Sequence, residues 1–156
     1  GLTKPGQIPT RWLDQGASYA VIIAETDSRY HAGLVEDYLK QFYADRTQWR
    51  KMLTGEPLGV DLLAEAKQAV VRIKESKLPS EVIDNISYPD LEVYGYNYPV
   101  DEIGPIKSLN LEKLGEVSGY ILGIKGQYLM LDTGVINLRK YTQYEVEIEI
   151  KPFAPD

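Results

Sequence analysis

The chain has 156 residues, with 17 Lys and Arg against 23 Asp and Glu, a single His and no Cys. That length suits one average domain or two small packed ones, and it buries enough surface to fold without covalent staples. The absence of Cys excludes a disulfide framework, a thiol nucleophile and a thiolate zinc site within these residues, and one His excludes a multi-His metal centre. No run approaches the ~20 apolar residues of a membrane span, and the N-terminus lacks a basic-then-apolar leader pattern. A cytoplasmic protein with no membrane partner is therefore expected. The net charge of −6 argues against bulk coating of nucleic acid, but it is unevenly placed. Residues 1–56 hold seven basic and seven acidic residues, whereas 57–156 hold ten and sixteen. An anion-binding surface is thus expected in the first third, where Arg11, Arg29, Arg46 and Arg50 lie.

Gly1 to Pro9 reads as loop, and Thr10 as the N-cap of a short helix ended near Gln15-Gly16. Tyr19 to Ala24 is a short apolar run of buried-strand type. From about Arg29 to Phe42, Ala32, Val35, Leu39 and Phe42 recur at helical spacing, with Asp27-Ser28 as the cap. A short helix from Gln48 to Leu53 is stopped by Gly55 and Pro57. Asp61 caps a longer helix with a stripe of Leu62, Leu63, Ala66, Val70 and Ile73, ending before Leu78-Pro79. After Pro79 the period changes to two. Eight of the twelve tyrosines follow Ile86, and aromatic enrichment is a strand signature. Lys125-Gly126 and Asp132-Thr133-Gly134 mark two tight hairpins. Leu91–Tyr98, Ile106–Leu109 and the alternating Tyr144–Ile150 complete five or six strands, enough for a small antiparallel β-barrel. The expected plan is a helix-and-strand layer over 1–78, a linker at 79–89 and a barrel over 90–156.

Gly119, Gly123 and Gly126 have the wrong spacing for a dinucleotide loop and read as strand bends. His31 is either a general base or a capping residue. Glu36, at the edge of a buried helix stripe, either projects into a groove or pairs with Lys40 one turn on. Arg11 on a first helical turn can set its planar fork against a phosphate while Trp12 anchors the helix. Arg46, Trp49 and Arg50 repeat that pairing of cation and indole, which suits nucleic-acid backbones and bases but equally a packed Trp with solvated neighbours.

Three strings carry a family resemblance. They are Ile8-Pro9-Thr10-Arg11-Trp12-Leu13-Asp14-Gln15-Gly16-Ala17-Ser18; Ala32-Gly33-Leu34-Val35-Glu36 with Asp45-Arg46-Thr47-Gln48-Trp49-Arg50; and Gly123-Ile124-Lys125-Gly126-Gln127-Tyr128-Leu129 with Gly134-Val135-Ile136-Asn137. Together they resemble one bacterial family of unknown function, domain-of-unknown-function family number 2797, over Gly1 to about Val146. The resemblance implies a longer N-terminus with a Cys-rich, zinc-binding segment and a strand–turn–strand whose final Gly matches Gly1. The chain is then expected to be a piece lacking that segment, with zinc confined to it.

The part from Gly1 to Gln48 is similar, more weakly, to GIY-YIG nucleases. Arg11 matches their catalytic Arg, Glu36 their metal-binding Glu, and Gln48 stands loosely for their Asn. Both motif tyrosines are missing. The resemblance implies a GIY-YIG-like layer in an α+β protein, with Arg11 clamping phosphate and Glu36 holding Mg²⁺. The expected function is nuclease-like binding of DNA or RNA by Arg11, Trp12, Arg46 and Arg50, with Mg²⁺-dependent phosphodiester hydrolysis by the full-length protein. The alternative is a non-catalytic module binding nucleic acid or protein. Exposure of Tyr94, Tyr96, Tyr98, Tyr120 and Tyr128 on one face would favour that alternative.

Overall fold

The computed structural model describes residues 1–44, 46, 48–55 and 59–152. Asp45 and Thr47 of the second string, Pro57 and the last four residues of the expected barrel lie outside the described residues. A 3-10 turn at Pro5–Gln7 leads into helix α1 (Ile8–Asp14). Pro9 sits in its first turn, where the missing N–H has no helical partner to lose, so the helix begins before Thr10. Strands β1 (Tyr19–Val21) and β2 (Glu25–Thr26) follow. Helix α2 (Arg29–Leu39) is capped by Ser28, whose Oγ accepts the His31 N–H at 3.1 Å. Helix α3 (Trp49–Thr54) stops at Gly55, and Asp61 caps α4 (Leu62–Lys74) by accepting the Ala64 N–H at 3.1 Å. Then come α5 (Ser80–Ile83), β3 (Ile86–Ser87), β4 (Val93–Gly95), α6 (Leu111–Leu114), β5 (Ile121–Lys125), β6 (Tyr128–Leu131) and β7 (Gly134–Asn137), closed by a 3-10 turn at Leu138–Tyr141.

The mixture of helices and small antiparallel sheets is α+β. The strands form three separate sheets: β1 with β4, β2 with β3, and β5-β6-β7. Strand β1 pairs Tyr19 with Gly95, so the first part of the chain is stitched to the second by a ladder. Residues 79–89, expected as linker, hold α5 and β3, and Val82 is fully buried against Val35 and Ile73.

No closed barrel is found among the described residues, and the expectation of one is corrected. Closure requires every strand edge to find a partner strand. Here the edge of β5 is lined by residues 99–101, through Ile124 N–H to Pro99 O at 2.9 Å and Asp101 N–H to Leu122 O at 2.8 Å. The edge of β7 is lined by 107–109, with Leu109 N–H to Val135 O and Val135 N–H to Lys107 O, both 2.8 Å. Ile106–Leu109 therefore makes an isolated bridge at Ser108 rather than a strand. Tyr144–Ile150 joins no sheet and is exposed.

The three-stranded sheet is covered on both faces. Tyr128, Met130 and Val135 pack towards Leu53, Trp49 and Met52 of α3. Leu129, Leu131 and Ile136 pack towards Leu109 and Tyr141. Period-two alternation thus feeds two cores, and α3 is the helix that joins the helical layer to the sheet.

Candidate functional site

Helix α1 ends in Gly16, whose backbone is left-handed (φ 73°) and whose missing Cβ leaves room for Met52 Sδ, which a side chain would meet at 2.5 Å. The β5–β6 turn rests on this point. A Cβ on Gly126 (φ 57°) would meet Gly16 N at 2.7 Å and Asp14 O at 2.9 Å. Two glycines therefore allow the first and third of the family-bearing strings to touch backbone to backbone.

Beneath that contact lies Lys125, only 6% exposed. Its Nζ donates to Met52 O at 2.7 Å and to Ser18 Oγ at 3.2 Å, and sits 5.3 Å from the centre of the Tyr98 ring. Burial of the ammonium lowers its pKa from the ordinary 10.5. Tyr98 donates its hydroxyl to Ala17 O at 2.7 Å, and its pKa is raised, chiefly by burial. Lys125, Ser18, Tyr96, Tyr98, Asp101 and Glu102 are among the residues lining an open cleft of roughly 380 Å³. Sequence reasoning placed Lys125 in a turn and missed it. The available signal was parity: Gly123 and Lys125 share the strand face opposite Ile124, and both are buried while Ile124 is not.

Around this cleft the arginine–aromatic residues fall into two groups. Trp12 of α1 packs on Tyr94 and Tyr96, with ring centres 5.9 and 6.0 Å apart. The Tyr94 pKa is raised because its hydroxyl donates to Glu92 at 3.1 Å. Arg11, one residue before Trp12, is exposed, with no ion pair or hydrogen bond to its side chain among the described residues. In the second group, Trp49 stacks on Tyr128 at 5.5 Å and 11°, and the Arg50 guanidinium lies 4.4 Å from the Trp49 ring centre. Arg46 is exposed. Tyr94, Tyr96, Tyr98, Tyr120 and Tyr128 do not share one exposed face: they divide between Trp12, the Lys125 cleft, Trp49 and the β5 end near Asp132.

Glu36 is carried by a different helix, α2. It is partly buried on α2, and its Oε1 is 3.6 Å from the Gly1 nitrogen. Helix α2 packs on α4 and β2, whereas α1 reaches β4 through Trp12. Arg11 and Glu36 form no ion pair. Lys40 Nζ lies 3.9 Å from Asp37. His31 Nδ1 and Asp27 Oδ1 share a hydrogen bond of 2.6 Å at the start of α2. Among the described residues no cluster of three or more His, Cys, Asp or Glu could hold a metal ion. Likewise, no helix among them is long and apolar enough to cross a membrane.

No curated protein and no solved structure matches the chain. Lys125, Ser18 and Met52 bring together segments that are far apart in sequence, and these fall inside a stretch with one family match. Residues 1–146 match the family described as "Protein of unknown function (DUF2797)", and the chain belongs to that family.

Proposed function

We propose that this is a nuclease-like, nucleic-acid-binding domain that takes a single strand of DNA or RNA on the arginine–aromatic surface of α1, β4 and α3. The carrying observation is the exposed Arg11 beside Trp12, whose ring is held by Tyr94 and Tyr96. Cations that grip phosphate next to rings that can stack on bases are what single-strand binding requires. Arg50, over the Trp49 ring, adds a cation on α3, and the exposed Arg46 adds one just before it. The arginines of that surface come from the first third of the chain, where basic and acidic residues balance.

The test is fluorescence anisotropy with a fifteen-nucleotide single strand at 50 and 200 mM salt. Replacing Arg11 and Arg50 by Ala removes two phosphate contacts. It should weaken binding and flatten the slope of log affinity against log salt by about 1.4, from ~0.7 per phosphate. An unchanged slope in R11A/R50A overturns this surface.

Hydrolysis is the finer part of the proposal, and it belongs to the full-length protein. Glu36 belongs to no group of three or more possible ligands among the described residues, so Mg²⁺ there would need water and substrate phosphate to complete its octahedron. An ion held there would supply charge neutralisation at a phosphoryl oxygen. Glu36→Ala should abolish Mg²⁺-dependent cleavage while single-strand binding on the Arg11 surface persists. Equal cleavage by E36A and wild type would remove Glu36 from the chemistry.

A further inference from the structure

The cleft above Lys125 is used neither by the arginine surface nor by Glu36. We propose that it receives one unpaired guanine base from a strand held on the Arg11 surface, an inference that rests on the nucleic-acid reading above.

Continuity comes first. Tyr96 belongs to both places, since its ring packs on Trp12 and it also lines the cleft. A strand whose phosphate meets Arg11 therefore runs beside the mouth. The cleft volume, roughly 380 Å³, lies at the small end of the ~300–1,000 Å³ typical of ligand sites.

Charge then selects what enters. Asp101 and Glu102 line the cleft and are exposed. Two carboxylates repel a phosphate, so the backbone stays outside on the arginines and a neutral heterocycle goes in. Aromatic lining by Tyr96 and Tyr98 suits a flat base.

Hydrogen-bond inventory selects the base. The Lys125 ammonium has three N–H groups. Ser18 Oγ and Met52 O take two, and the third has no hydrogen-bond partner among the described residues. Lys125 lines the cleft, so that third N–H is available to an acceptor placed there. The site thus offers a donor at Lys125 and acceptors at Asp101 and Glu102. Guanine matches that pattern: O6 and N7 accept, a usual arrangement for lysine, while N1–H and the N2 amino group donate to carboxylates. Adenine has no carbonyl for the ammonium. Cytosine lacks a ring N–H for the carboxylates, and uracil lacks the exocyclic amine.

The probes are short oligothymidylates carrying one central guanine, adenine or cytosine, measured by anisotropy against the all-thymidine strand. One guanine should tighten binding about tenfold relative to adenine or cytosine. The double variant D101A/E102A removes both acceptors and should bring that ratio close to one, and so should Lys125→Met. Because Lys125 also ties Ser18 to Met52, K125M can lose the fold; the exposed pair Asp101 and Glu102 keeps the test decisive. Binding of every strand with no guanine preference overturns the inference and leaves the arginine surface standing. A preference that survives D101A/E102A overturns it too. If no strand binds, the nucleic-acid reading itself falls, and the guanine site with it.

Discussion

In the β6–β7 hairpin, Tyr128 and Met130 face α3 while Leu129 and Leu131 face Leu109 and Tyr141, so both sides of the ribbon are covered. In Tyr144–Ile150 the alternation is stricter, yet Val146, Ile148 and Ile150 stand 53, 76 and 80% exposed. Side-chain character separates them in part, since β6 is apolar on both faces whereas Glu145, Glu147 and Glu149 make one face of the tail polar. Edges matter as well. Strand β6 has β5 on one side and β7 on the other, whereas both outer edges of that sheet are already lined by residues 99–101 and 107–109. Each outer edge of that sheet already holds a short stretch of chain, and neither carries the tail. Alternation records which face a strand would bury; pairing depends on an edge being free.

The contrast can be broken from either end, starting with the largest effect. Met130 is 1% exposed at the centre of the sheet, so Met130→Ala should cost roughly 2–5 kcal/mol in urea unfolding, the range for buried Met truncations. A loss under 1 kcal/mol would mean that the face against α3 is loosely packed. Ile148→Ala in the tail should shift stability by no more than about 0.5 kcal/mol. A larger loss would show that the tail is buried in solution and would remove the contrast altogether.

Between these lies Lys125, which fixes the sheet to α3 and the α1 turn. Burial lowers its pKa in the folded protein below the 10.5 it regains on unfolding. In that window the unfolded chain binds more protons, so this group makes stability rise with pH. Urea midpoints of wild type and Lys125→Met, compared from pH 7 upward, should therefore diverge in favour of wild type as the pH approaches 10.5. A constant difference would mean that Lys125 is as well solvated folded as unfolded.

Much of the helical layer was legible residue by residue. Ser28 and Asp61 act as the caps their side chains suggested, because an N-cap needs only a local oxygen and a free N–H three residues on. The stripe through Val35 and Ile73 is buried, as its spacing required. Both hairpins fall at Lys125-Gly126 and Asp132–Gly134. Of the candidate site, Arg11 beside an anchored Trp12 and Arg50 beside Trp49 could be read from adjacency. The contact of Glu36 with the Gly1 nitrogen could not, because it depends on how the first residues fold back on α2.

What the amino-acid order determined by itself was local: helix starts and stops, turn positions, the period of each apolar stripe, and a −6 charge carried by the second part of the chain. These follow from hydrogen bonds and sterics within a few residues. Only the tertiary structure decided that the strands form three open sheets, that residues 79–89 pack into a core, and that a lysine in a turn sequence is buried under two touching glycines. Those outcomes hinge on contacts beyond the local chain, the longest of them across about a hundred residues from Lys125 to Ser18, where the gain in packing must outweigh the chain entropy lost in closing the loop.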